Sequence, residues 1–70
     1  MEYITLSDGK IAGHTVDNDF QITAFGYDGT YLGYYYKNHN TTYDRYGQAV
    51  QLNGNALGYL VIAYYKENNP

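Results

Sequence analysis

SDGKIAG at Ser7–Gly13 and YDGTYLG at Tyr27–Gly33 decide how this chain reads. Both stretches place Asp-Gly ahead of an apolar residue and then a second glycine four positions on. RYGQAV at Arg45–Val50 and NGNALG at Asn53–Gly58 repeat parts of the same unit. Asp-Gly and Asn-Gly suit a type I′ hairpin turn, whose two central residues both need φ > 0. The recurrence predicts a chain of antiparallel β-hairpins.

Counting outward from each turn gives a register. Around Asp8-Gly9, Leu6 faces Ile11 and Ile4 faces Gly13. Around Asp28-Gly29, Phe25 faces Leu32 and Ala24 faces Gly33. Around Asn53-Gly54, Val50 faces Leu57 and Ala49 faces Gly58. Each turn thus carries a large apolar pair and, one or two residues further along the returning strand, a glycine. Glycine weakens a strand unless a bend or a close neighbour uses the missing side chain. Gly13, Gly33 and Gly58 are therefore expected at bends or under aromatic rings. Ala56–Lys66 is continuous and apolar at its centre, but Val61, Ile62 and the tyrosines favour a strand over the rival helix.

The expected architecture is all-β, a small antiparallel hairpin-repeat domain spanning residues 1–66, with a polar tail at 67–70. Phe25–Leu52, and Tyr43-Asp44-Arg45-Tyr46-Gly47 most clearly, resembles the small bacterial four-fold β-flower domains. Their petals are hairpins with D-G or N-G turns followed by [LV]-G and Y-D-x-x-G. The resemblance implies a β-flower or small curled barrel, with no activity and no catalytic residues.

Composition narrows the function. Seventy residues make one domain near the size where burial is barely sufficient, and such chains often rely on disulfides, metals or self-association. There is no cysteine, which excludes a disulfide and fits a reducing, cytoplasmic compartment. Two histidines without cysteine offer no structural zinc set, and no cofactor is expected. The net charge is −3, and Lys10, Lys37, Arg45 and Lys66 are scattered. Nucleic-acid binding needs grouped cations, so it is not expected. The longest apolar stretch is about half the roughly 20 residues of a membrane-spanning helix, and no membrane role is expected either.

Candidate chemistry is thin. Ser7 is the only serine and sits at a turn edge, so no nucleophile, base and orienting group converge with His14 or His39. Asp8, Asp28 and Asp44 read as turn-capping residues. Asp17-Asn18-Asp19 lacks the glycine and closing glutamate of a calcium loop. An enzyme is not expected.

The eleven tyrosines are the candidates. In Tyr34-Tyr35-Tyr36, strand alternation sends neighbours to opposite faces. Either Tyr35 packs inward while Tyr34 and Tyr36 face out, or the reverse. Tyr31, Tyr43, Tyr46, Tyr59 and Tyr64 complete the candidate binding set. Rigid tyrosine surfaces among Asn, Gly and Thr are the composition of protein-recognition surfaces. The function expected is a non-enzymatic module that binds a protein partner and self-associates; an inhibitor from a phage or mobile element is one version. The alternative is a lectin-like glycan-binding repeat, with tyrosines stacking on sugar rings.

Overall fold

Ser7-Asp8-Gly9, Tyr27-Asp28-Gly29 and Arg45-Tyr46-Gly47 are three copies of one loop in the computed structural model, which describes residues 1–70. In each copy the glycine N–H donates to the carbonyl three residues back: Gly9 to Leu6, Gly29 to Gly26 and Gly47 to Asp44, at 2.9–3.0 Å. Only the glycine has positive φ, at 89°, 86° and 82°. These are three-residue loops built on a type I turn with a left-handed third residue, instead of the two-residue type I′ turns expected. A carboxylate caps each loop. Asp8 Oδ1 and Asp28 Oδ1 accept from the N–H groups of Lys10 and Thr30, each at 3.0 Å, and in the third loop, where Tyr46 takes the aspartate's place, Asp44 Oδ1 accepts from the N–H groups of Tyr46 and Gln48.

The loops join six strands into one antiparallel sheet in sequence order: β1 (Glu2–Thr5), β2 (Ile11–Asp17), β3 (Gln21–Gly26), β4 (Tyr31–Tyr36), β5 (Thr41–Asp44) and β6 (Ala49–Gln51). A 3-10 turn at Lys37–His39 separates β4 from β5. The all-β hairpin expectation is met. The sheet nevertheless stays open, because β1 and β6 are end strands and do not pair with each other. It forms neither a closed flower nor a barrel.

One residue is extra on each returning strand. The register passes from Thr5↔Ile11 to Ile4↔Gly13, from Phe25↔Tyr31 to Ala24↔Gly33, and from Tyr43↔Ala49 to Thr42↔Gln51. Ala12, Leu32 and Val50 are the bulged residues. The bulge offsets the extra loop residue, so Ile4 and Ala24 meet Gly13 and Gly33 as expected. Nearer the turns the expected pairs Leu6/Ile11 and Phe25/Leu32 are replaced. Ala12 and Leu32 are buried in the core, so in the first two copies the bulged residue is aimed inward, whereas Val50 is exposed.

The segment expected as a last strand is helix α1 (Leu57–Asn68). Leu57, Leu60, Val61 and Tyr64 follow i, i+3, i+4, i+7 spacing, and all four join the core or pack on it. Packing here overrides the strand preference of Val61 and Ile62. The helix also absorbs Glu67 and Asn68, expected in the tail. Asn53-Gly54 accordingly closes no hairpin: Asn53 is left-handed (φ 57°) and the linker runs across to the helix. Thr42, fully buried, fixes that linker. Its Oγ1 donates to the Gly54 carbonyl at 2.8 Å and accepts from Ala56 N–H at 2.9 Å.

The helix lies on a floor of small residues. Gly13 faces Gly26 across β2 and β3, and Ala24 faces Gly33 across β3 and β4. A Cβ at Gly13 would lie 2.2 Å from the Phe25 carbonyl oxygen and 2.7 Å from Val61 Cγ1. Gly13 and Gly33 therefore serve close approach, as expected, to a carbonyl of the adjoining strand first and to a helix side chain above it. Gly58 has nothing near its missing side chain, so the packing role expected for it is not observed.

Candidate binding surface

Directly opposed residues of an antiparallel sheet share a face, and faces alternate along each strand. The register therefore sorts the side chains. Gly13, Gly26, Thr15, Ala24, Gly33, Ile22, Tyr35 and Thr42 lie beneath α1. The opposite face is crossed by an aromatic row: Tyr3 faces His14, His14 faces Phe25, and Phe25 faces Tyr31. Successive ring centroids are 6.4, 5.1 and 6.2 Å apart, with His14 and Phe25 stacked.

A second row is Val16, Thr23, Tyr34, Tyr43 and Ala49, in which Tyr34 and Tyr43 stack at 5.0 Å. A third is Gln21, Tyr36 and Thr41, with His39 against Tyr36 at 4.6 Å. No Asp, Glu, Lys or Arg occurs in these three rows. The strand acids Glu2, Asp17 and Asp44 are paired with Thr15, Ile22 and Gly33 and so point to the helix side. The face is uncharged and aromatic, and no element of the fold covers it. Burial above all, then the neighbouring Tyr34 and Asp44, pushes the Tyr31 phenol above its ordinary value.

The eight tyrosines singled out in the sequence separate into groups. Tyr31, Tyr34, Tyr36 and Tyr43 share the open face. Tyr35 lies on the other side, against the core, with its hydroxyl donating to Asn40 Oδ1. Tyr34 and Tyr36 therefore face out and Tyr35 faces in. Tyr64 crosses from α1 to the β3–β4 loop, where its hydroxyl donates to Asp28 Oδ2 at 2.7 Å and stands 3.1 Å from Thr30 Oγ1. Tyr46 and Tyr59 flank a separate groove beside the helix. Tyr3, His14, Val16 and Phe25 share the open face and lie outside the candidate binding set. The signal that finds them is the register across β1–β4, which needs both the three-residue loops and the bulges.

Other chemistry is sparse. No three His, Asp or Glu side chains converge on one point. The ion pair Lys37–Asp17, at 2.6 Å, ties the 3-10 turn to the end of β2, helped by Lys37 Nζ on the Asn18 carbonyl. No helix is long and apolar enough to cross a membrane. The chain matches no family model, no curated protein and no solved structure.

Proposed function

We propose that this protein is a non-enzymatic binding module whose open sheet face recognises another protein. One observation carries the reading: a face holding six tyrosine and phenylalanine rings, and no Asp, Glu, Lys or Arg, is left uncovered in a chain of net charge −3. Contiguous exposed apolar surface on a small domain marks an interaction site. Tyrosine gives large contact area at low conformational cost together with a hydroxyl that bonds at the rim. Thr23, Gln21 and His14 add uncharged donors and acceptors. Masking a surface of the partner, as an inhibitor does, is within reach of such a face.

The same face suits a second copy of the chain. Two molecules of like net charge meet with least repulsion through uncharged surface, and sheets pack face to face at about 10 Å. A glycan reading draws less support. Tyr34 with Tyr43, and His14 with Phe25, stack side by side with interplanar angles of 22° and 21°. Rings stacked in this way spend their faces on each other, and sugar stacking needs those faces free.

Thr23, opposite both Val16 and Tyr34, lies inside the face. We expect Thr23→Glu to abolish association, read by sedimentation and by binding to the purified partner, with the circular dichroism spectrum unchanged. Lys66→Glu, on the exposed side of the helix, is the charge control and should leave association intact. Association that survives Thr23→Glu would sink the assignment of this face.

A further inference from the structure

On the opposite side of the sheet, a groove of about 230 Å³ separates α1 from the β5–β6 loop. Tyr59, Ala63 and Glu67 succeed one another at four-residue intervals and so form one helix ridge along it. The loop contributes Asp44, Arg45 and Tyr46, and the buried Leu32 lies between. Tyr46 and Tyr59 are 75% and 73% exposed, unusually open for large aromatic rings. Asp44 and Glu67 both line the groove, yet the only ion pair in the protein is Lys37–Asp17. Arg45 pairs with neither carboxylate; its guanidinium carbon stands over the Tyr46 ring, 5.3 Å from the centroid.

We infer that this groove receives a lysine side chain of a partner protein. Its volume falls below the 300–1,000 Å³ of drug-sized sites, which suits one side chain and excludes a larger cofactor. The apolar lining matches an aliphatic stem. The tyrosine rings, the Glu67 carboxylate and the second oxygen of Asp44, whose Oδ1 accepts from the N–H groups of Tyr46 and Gln48, match the ammonium head through cation–π and Coulomb attraction. Arg45 over Tyr46 shows that a ring of this groove already takes a cation. The site lies away from the open face and does not depend on it.

The test is an amide NMR titration of the intact protein with N-acetyl-lysine methylamide. The norleucine analogue, which keeps the stem and lacks the amine, is the comparison. We expect saturable millimolar binding that shifts Tyr46, Tyr59 and Ala63, with the norleucine compound clearly weaker. Tyr59→Ala removes an exposed ring with no hydrogen bond and should cost about two- to fivefold in affinity. Arg45→Ala, which takes the resident cation off Tyr46, should tighten binding. The inference is overturned by any of three results: no saturable shifts at these residues, equal binding of the norleucine analogue, or Arg45→Ala leaving affinity unchanged or lower.

Discussion

The ring of Tyr64 lies directly on Gly26: a Cβ added there would come 2.7 Å from Cε2 and 2.8 Å from Cδ2. This contact lets the helix settle close to the sheet, and it places the Tyr64 hydroxyl beside Asp28. Shape at the helix–sheet seam is thus set by missing side chains. The seam matters for function because the helix covers one sheet face only, and its docking leaves the aromatic rows as the free surface.

Glycine substitutions should separate along that seam. Gly13→Ala drives its Cβ into a backbone carbonyl of β3, which cannot rotate away, and should cost about 3 kcal/mol or more. Gly26→Ala meets a side chain that can tilt and should cost less. Gly58→Ala, in the first turn of α1 with open space around it, should stabilise by about 0.5–1 kcal/mol through helix propensity. Urea denaturation of the three variants checks the order; equal effects would contradict the close-approach account.

Thr42 is expected to be hard to replace. Thr42→Val keeps the shape but leaves the Gly54 carbonyl and the Ala56 N–H without their partner. Such unmade bonds cost about 1–3 kcal/mol. Thr42→Ser keeps the hydroxyl and should cost less than Val. A valine variant as stable as wild type would show that the linker is not held by this residue.

Tyr64→Phe tests the tie to the β3–β4 loop through pH. The Tyr64 hydroxyl first, then the Thr30 N–H, hold the Asp28 carboxyl below its ordinary value. Its contribution is present above the unfolded value near 3.9 and is lost as pH falls through the lower folded one. For Tyr64, the Thr30 contact lowers the phenol value, but the Asp28 bond, burial and the Asp28 charge together outweigh it, so the net shift is upward. Its contribution is present below the unfolded value near 10 and is lost as pH rises through the folded one. The stability difference between wild type and Tyr64→Phe should therefore be flat at neutral pH and shrink at both extremes. A pH-independent difference would contradict the tie.

The tyrosine run should divide by face. Tyr35→Ala removes a ring packed on the core and a hydroxyl bonded to Asn40, and should cost about 3 kcal/mol. Tyr34→Ala loses chiefly its stacking on Tyr43, about 0.5–1.5 kcal/mol. Thermal denaturation that ranks them the other way would invert the face assignment.

Much of this was legible in the residues. Asp8-Gly9 and Asp28-Gly29 announce hairpins, and the glycine after Ala12 and Leu32 announces close approach. The loop type was not legible from the dipeptides alone, because Asp-Gly serves both the two-residue turn and the three-residue loop. The third copy takes the same loop with Tyr46 in the aspartate's place, so the dipeptide does not select between them. Helix α1 runs against the strand preferences of Val61, Ile62 and the tyrosines, because the 57/60/61/64 spacing that overrides them gains its energy only once the glycine floor exists. The open face was legible in part: Tyr31, Tyr34, Tyr36 and Tyr43 lie within one hairpin and the strand beside it. Tyr3, His14 and Phe25 join them only through pairings that span the whole sheet.

The most direct measurement is site-specific photo-crosslinking in the cells that make the protein, with benzoylphenylalanine at Tyr34 on the open face or at Tyr27 on the helix side. Tyr27 packs against Tyr64 and Tyr65, with ring centroids 5.9 and 5.4 Å away, and is still exposed enough to report. We expect a protein adduct of defined mass from position 34, lost when Thr23→Glu is added, and none from position 27. Adducts from position 27 alone, or adducts from position 34 that persist with Thr23→Glu, would contradict the claim that the open aromatic face is the binding surface.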